Sequence, residues 1–261
     1  MKNIRIISLY SGSTGNSFVI SAPCGTLLID AGKNAKRLHS ALCEVGIDAD
    51  SIGAILVTHE HTDHISALPV FLKKHPIPVH IANGCAYKLL PHPSVEPLLN
   101  MHPPIYEDSI CGMRVTSFPT PHDSCASVGY RIEIPDEDGN IAYRIGYATD
   151  IGYVSPEIEE ALTGCDAVIL ESNHDYDMLM TGPYPYDLKK RIASRRGHLS
   201  NPDSAALAAR LCAAGTKKLM LAHLSQENNL PDIAYDECVS AVGDSDVQIF
   251  VAHPEIPTEM L

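Results

Sequence analysis

The sequence predicts an α/β (α+β) fold, a four-layer αββα sandwich formed as one domain over residues 1–261. Three observations carry this prediction. Each half of the chain opens with strand patterns and then alternates helices with strands. His, Asp and Glu residues fall just past the ends of apolar runs, where loops at a sheet edge carry chemistry. With 261 residues, 45% of them hydrophobic, there is material for one large core, and no linker divides it.

Taken in order, residues 4–9 form an opening strand. The turn Ser11-Gly12-Ser13-Thr14-Gly15-Asn16-Ser17 leads back into a strand over 18–20. Pro23-Cys24-Gly25 turns again, into a third strand ending at Asp30. A helix over about 35–45 stops at Gly46. Strand 52–57 follows, then a helix over 65–74 and a short strand over 76–81. The stretch holding Pro91, Pro93, Pro97, Pro103 and Pro104 specifies no element. Strands are expected at 113–118, 127–134 and 141–148, then a helix at 156–162 and a strand at 167–170. A polar segment, 171–182, precedes a basic helix near 186–196. Helix 202–214, strand 218–222, helix 233–242 and strand 247–251 complete the chain.

The densest chemistry is Thr58-His59-Glu60-His61-Thr62-Asp63-His64, between the apolar run Ile55-Leu56-Val57 and the next helix. His59 and His61 are two apart, so in an extended chain they share a side. Asp63 and His64 would open the helix. Two imidazoles for one ion and a carboxylate–imidazole pair for a neighbouring ion is a sensible division. A surface loop rich in His by accident is the bland alternative, but this density of N and O donors at one bend is what metal sites require.

Bulk properties set limits. No apolar run reaches 18 residues, so no membrane span is expected. The N-terminus runs into a strand pattern without a signal-peptide apolar region. The two nearest of the eight Cys, Cys111 and Cys125, are 14 positions apart, so there is no C-x-x-C pair. Reduced thiols and a cytoplasmic location are the simplest account. The net charge of −13 argues mildly against a nucleic-acid partner, although bound metals and a local basic patch reverse that sign where it matters. Lys189, Lys190, Arg191, Arg195 and Arg196 form such a patch. It is either a solvated face or a set of phosphate contacts. No feature bears on oligomeric state.

The spacing H-x-H-x-D-H resembles the motif of the metallo-β-lactamase fold superfamily. That resemblance implies a lone His, a lone Asp and a final His at later strand ends, matched by His122, Asp150 and His223. It implies that His59, His61 and His122 hold one ion, that Asp63, His64 and His223 hold another, and that Asp150 bridges them. Taken alone, each isolated His or Asp would be an ordinary residue. Their order and setting give them weight. Asp30 matches an Asp that supports the site from behind. Asp150 stands where some lactamases carry Cys, which weakens an antibiotic-hydrolase reading.

Two further blocks narrow the chemistry. The strand ending at Glu171 and the segment Gly197-His198-Leu199-Ser200-Asn201 resemble elements of ribonuclease Z-type enzymes. There the His gives a proton to the leaving oxygen and an acidic residue orients it. The resemblance thus implies that Asp63, His198 and Glu171 take part in catalysis. For His198 a plain helix-entry role is the alternative. Asn173, His174 and Asn201 are candidate substrate contacts, His174 being as easily a structural residue. With the turn 11–17 and Ala222-His223-Leu224-Ser225-Gln226, these blocks resemble the YycJ/WalJ-type group of bacterial metallo-β-lactamase-fold hydrolases.

That likeness covers nearly the whole chain. It implies a two-metal phosphodiesterase, a 5′→3′ exonuclease acting on DNA more readily than RNA. Two ions roughly 3.5–4 Å apart would share a hydroxide that attacks phosphorus. The donor set suits zinc or manganese, with iron also open. Only 73 positions separate Asp150 from His223, so no β-CASP insertion is expected. A small-molecule metallohydrolase, such as a glyoxalase II-like thioesterase or a cyclic-nucleotide phosphodiesterase, is the alternative enzyme. A non-enzymatic metal-binding regulatory partner is the third reading, opposed by the complete ligand set.

Overall fold

A computed structural model of the chain describes residues 4–261. Residues 1–3, at the start of the expected strand-like run, lie outside the described residues. Strands β1 (Arg5–Tyr10), β2 (Ser17–Ala22) and β3 (Gly25–Ile29) form an antiparallel meander. Helix α1 (Ala35–Glu44) then crosses over to β4 (Ala54–Val57), which lies parallel to β3. Two short helices, α2 (Thr62–Ile65) and α3 (Leu68–Phe71), lead to β5 (Val79–Ala82) and β6 (Leu99–His102), both parallel additions.

The second half repeats the plan. β7 (Glu107–Ile110), β8 (Met113–Pro119), β9 (Val128–Pro135) and β10 (Ile141–Ala148) are antiparallel. Helix α4 (Pro156–Leu162) joins β10 to parallel β11 (Ala167–Glu171). Helices α5 (Tyr176–Thr181), α6 (Tyr186–Ile192) and α7 (Asn201–Ala213) precede β12 (Lys218–Ala222). Helix α8 (Pro231–Val242) leads to β13 (Gln248–Val251), and β14 (Thr258–Glu259) returns to pair with β1. The sheet orders are β14-β1-β2-β3-β4-β5-β6 and β13-β12-β11-β10-β9-β8-β7.

Alternation along each strand builds the layers. In β4, Ala54 and Leu56 enter the core between the sheets, while Ile55 and Val57 pack outward beneath α1 and α3. In β11, Ala167 and Ile169 face inward, and Val168 and Leu170 pack under α4, α7 and α8. Covering both faces explains why these strands are continuous apolar runs. The result is the expected αββα sandwich. No helix among the described residues is long and apolar enough to cross a membrane.

Several expected elements differ. The helix expected at 65–74 is broken into α2 and α3. Pro69 has no N–H to continue the ladder. The Ala67 N–H bonds to the Ala31 carbonyl (2.9 Å), and the Asp63 carbonyl accepts from Asn16 N–H (2.8 Å). Tertiary bonds thus replace helical ones at the loop that carries the histidines. The proline-rich stretch contains a 3₁₀ turn (Glu96–Leu98) and β6. Polar edge strand β7, short α5 and two-residue β14 had no sequence signal strong enough to read. The basic helix ends at Ile192, so Arg195 and Arg196 lie in the following turn.

Gly32 marks how tightly β3 meets this loop: a Cβ there would run into the Asp63 carbonyl and the Asn16 N–H. Gly32→Ala should therefore destabilise the protein by about 1–3 kcal/mol through overpacking. Chemical denaturation checks this, and an unchanged midpoint would mean the loop can give way.

Candidate metal centre

Every candidate metal-binding residue sits just past a strand or at the following turn. His59 and His61 follow β4, and Asp63 and His64 lie in α2. His122 follows β8, Asp150 follows β10 and His223 follows β12. The strand ends of both sheets therefore converge on one place. Three of the strand-end residues adopt left-handed backbone conformations: Asp30 (φ 58°), Asp150 (φ 59°) and His223 (φ 58°). Asp and His tolerate this region better than most, yet each such residue costs on the order of 1–3 kcal/mol. Hydrogen bonds hold them there. The Asp30 carboxylate accepts from Thr58 N–H (2.8 Å), Thr58 Oγ1 (2.9 Å) and His64 Nδ1 (2.7 Å). The His223 N–H donates to Ser11 Oγ (2.8 Å), and its carbonyl accepts from Asn173 Nδ2 (2.8 Å).

The donor atoms form overlapping groups. Those of His59, His61 and His122 lie within 4.8 Å of one another, as do those of Asp63, His64 and His223. Asp150 stands between the groups. Its Oδ1 is 3.7 Å from His122 Nε2 and 3.6 Å from His223 Nε2, and its Oδ2 is 3.4 Å from His64 Nε2. His59 Nε2, His223 Nε2 and Asp150 Oδ2 are buried with no hydrogen-bond partner among the described residues. Orphaned polar atoms of this kind are rare in native proteins, and coordinated ions would satisfy all three. The residues present fit divalent metal ions.

The outer nitrogens are anchored, which aims the inner ones. His122 Nδ1 donates to the Gly197 carbonyl (2.9 Å). His64 Nδ1 faces Asp30, and His59 Nδ1 faces Thr58 Oγ1 (3.0 Å). Burial and the neighbouring His64 push the His59 pKa well down, so it is a neutral imidazole ready to bind metal. Burial opposes charge on His223 too, but Asp150, Asp63 and Glu171 outweigh it and push its pKa up to about 10. A metal arriving there must displace a proton.

His198 lies beside this centre at the entry to α7, whose N-cap is Ser200. Its Nδ1 bonds to Glu171 Oε1 at 2.7 Å. Glu171 is wholly buried, yet His198 and His223 outweigh burial and hold its carboxyl at about 2. Its other oxygen accepts from the N–H groups of Ile151 (2.7 Å) and Leu199 (3.1 Å). Glu171 thus ties the loops of Asp150, His198 and His223 together. A cavity of about 180 Å³ opens here, lined by His122, Asp123, Asn173, Arg191 and His198 among others.

The expected substrate-facing residues divide. Asn173 borders the cavity, although its amide also holds His223. Asn201 is only 1% exposed, and its amide is engaged by Ser172 and Asn229 inside the protein. It is an internal strut and not a surface group. His174 is buried outside the cavity lining, where burial pushes its pKa down to about 4. Among the cations, Arg191 pairs with Asp123 (2.5 Å) and Lys189 donates to the Met180 carbonyl (2.8 Å). Arg196 donates to the His122 carbonyl (3.2 Å). Lys190 and Arg195 rest over the rings of Tyr186 and Tyr153, at 4.4 and 3.9 Å from the ring centres.

Three further residues reach the site and were not singled out from sequence. Asn16 Nδ2 approaches Asp63 Oδ2 (3.3 Å) and His64 Nε2 (3.2 Å). Asp123 Oδ1 is 3.2 Å from His122 Nε2 and 3.8 Å from His61 Nε2. Glu60 accepts from Ser124 Oγ (2.6 Å) and Cys125 N–H (3.2 Å), fastening the His122 loop to the His59–His61 loop. Adjacency to His122 and to the H-x-H pair was the available signal for Asp123 and Glu60. Asn16 had only its place in a turn.

Residues 26–224 match the family described as a beta-lactamase superfamily domain. Over 248 residues the chain is 33% identical to exodeoxyribonuclease WalJ of Streptococcus pneumoniae serotype 2, covering 93% of this chain and 90% of that one. Over 264 residues it is 32% identical to exodeoxyribonuclease YycJ of Bacillus anthracis, covering 97% and 96%. Among solved structures, the metallo-beta-lactamase fold protein YhfI from Bacillus subtilis superposes with a TM-score of 0.75 at 16% identity, covering 99% of this chain and 100% of that one. Zn(2+)-bound PqqB from Methylobacterium extorquens gives a TM-score of 0.70 at 17% identity, covering 97% and 99%. At these identities the structural likeness concerns the fold. The chain belongs to the beta-lactamase superfamily, in the family of the WalJ and YycJ exodeoxyribonucleases.

Proposed function

We propose that this protein is a metal-dependent 5′→3′ DNA exonuclease. The observation that carries the reading is the His198–Glu171 pair, set beside two groups of metal-type donors at the mouth of a cavity. His59, His61 and His122 would hold one ion, Asp63, His64 and His223 the other, with Asp150 between them. Zinc and manganese suit these donors, with iron also open. Such ions, when bound, neutralise a phosphate and make water acidic enough to act as a nucleophile at neutral pH.

The chain's own residues handle the leaving group. Glu171 holds the Nδ1 side of His198, which leaves Nε2 to give a proton to the departing 3′ oxygen. Asn173 and Arg191 border the space where a terminal nucleotide would lie. Lys190 and Arg195, which rest over aromatic rings, are the cations of the basic stretch best placed to meet phosphates. The DNA preference rests on the named activity of the relatives, and the 5′→3′ polarity on the resemblance to the YycJ/WalJ-type group. We read the chain as one domain without a β-CASP insertion, since α4 to α7 and β11 fill the span from Asp150 to His223. Its eight free thiols suit a reducing compartment such as the cytoplasm.

Digestion of 5′-labelled and 3′-labelled DNA, with RNA alongside, tests the reading directly. Immediate release of 5′-labelled mononucleotides in the presence of metal is expected. Internal fragments, or cleavage of RNA alone, would overturn it. His198→Ala should retain its metals and lose roughly 10²–10⁴-fold in turnover on DNA. The loss should shrink on bis-p-nitrophenyl phosphate, whose leaving group needs no proton. Asp150→Ala should lose metal and both activities together. Equal defects on both substrates in His198→Ala would refute the proton-donor role. Replacing Lys190 and Arg195 by Ala should flatten the salt dependence of DNA binding, by roughly 0.7–0.9 in slope for each phosphate no longer neutralised. An unchanged slope would make them solvated surface residues.

A further inference from the structure

A second cluster of metal-type side chains lies away from the site described above and shares no residue with it. His80 is in β5, His102 ends β6 and Asp108 is in β7. One donor atom from each lies within 4.8 Å of the other two. His80 Nδ1 and His102 Nε2 are 2.9 Å apart, with the rings stacked at 5.1 Å and 12°. Tyr106 stacks on the far face of the pair through His102, at 4.0 Å and 12°. This stack fixes the ring orientation before any ligand binds, which reduces the ordering cost of binding.

The placement is informative. β6 ends the first sheet and β7 ends the second at the same side of the sandwich. His80 alternates with Ile81 and so shares a face with Ala82, which lies in the core between the sheets; Asp108 likewise shares a face with Ile110. The cluster therefore stands where the inter-sheet core runs out to solvent. His80 is 9% exposed and Asp108 is exposed, so the group is open on one side. One Asp108 oxygen accepts from Ser109 N–H (2.7 Å), leaving the other for a ligand.

We propose that His80, His102 and Asp108 form a separate site for a divalent transition metal of the zinc type, clipping the edge of one sheet to the edge of the other. Two imidazole nitrogens and a carboxylate oxygen make a zinc-type donor set, and the open side leaves room for water as a fourth ligand. The ion joins β5 and β6, already neighbours in one sheet, to β7 at the edge of the other, so its effect is on stability and not on the reaction.

The test uses the full-length protein dialysed against a defined micromolar zinc concentration, with ions counted by elemental analysis. His102→Ala should hold one ion fewer per chain than the wild type, while phosphodiesterase activity stays the same. Zinc at about a hundredfold above its dissociation constant should raise the thermal midpoint of the wild type over that of the variant by roughly 5–10 °C. Asp108→Asn, at an exposed position that does not threaten folding, should weaken the same binding step, and Asn100→Ala on the same strand as His102 should not. Equal ion counts in the wild type, His102→Ala and Asp108→Asn would overturn the proposal and leave a hydrogen-bonded histidine pair. Because nuclease activity and this ion count are read separately, failure of either leaves the other standing.

Discussion

A carboxylate removed from water is costly unless charge or hydrogen bonds compensate it, and Asp150 is only 1% exposed. Everything around the centre answers to that constraint. His223, His64, His59 and His122 surround the carboxylate, and His223 and His64, both pushed toward the charged form, lead the groups that outweigh burial and hold it ionised. Remove the carboxylate and four imidazoles crowd one another in an apolar setting. Remove the imidazoles and the buried charge has no partner. The two sheets meet at this point, so the same balance that sets the chemistry also fixes how their strand ends approach.

Backbone strain is concentrated at the same place. Asp30, Asp150 and His223 all turn through the left-handed region where a strand ends. This turn lets each chain leave its strand sharply and aim a side chain along the sheet edge. The sandwich can tolerate it because the strands behind are wholly buried apolar runs, Leu27 to Ile29 and Leu219 to Ala222 among them. Side-chain networks then lock the result. Asp30 joins Thr58 to His64 on one side, and Glu171 joins Ile151, His198, Leu199 and His223 on the other. The two buried carboxylates play matching parts, one in each sheet.

The basic stretch changes meaning when seen in three dimensions. In sequence it is a block of five cations. In space Arg191 and Arg196 reach back to Asp123 and His122, Lys189 braces α5, and Lys190 and Arg195 lie over tyrosines. Arg191 and Arg196 therefore hold α6 and its following turn against the His122 loop, and Arg191 lines the cavity. Gly197 allows this packing, since a Cβ there would strike the carbonyls of Arg191 and Ile192.

The linear order of residues was enough for the layered α/β class, most strand positions, the H-x-H-x-D-H bend and, through family resemblance, the remaining strand-end donors. These were legible because period-two apolar runs and dense local motifs are written in consecutive residues. Other features arose only on folding. The helix after His64 is split, because Asn16 and Ala31 take the backbone bonds a helix would have used. Asn201 is withdrawn into the interior by bonds to Ser172 and Asn229, which come from distant segments, and His174 is buried nearby. Asn16, Glu60 and Asp123 are brought to the centre, and His80, His102 and Asp108 are gathered from three strands in two sheets. Such groupings depend on which strands become neighbours, and no local pattern encodes that.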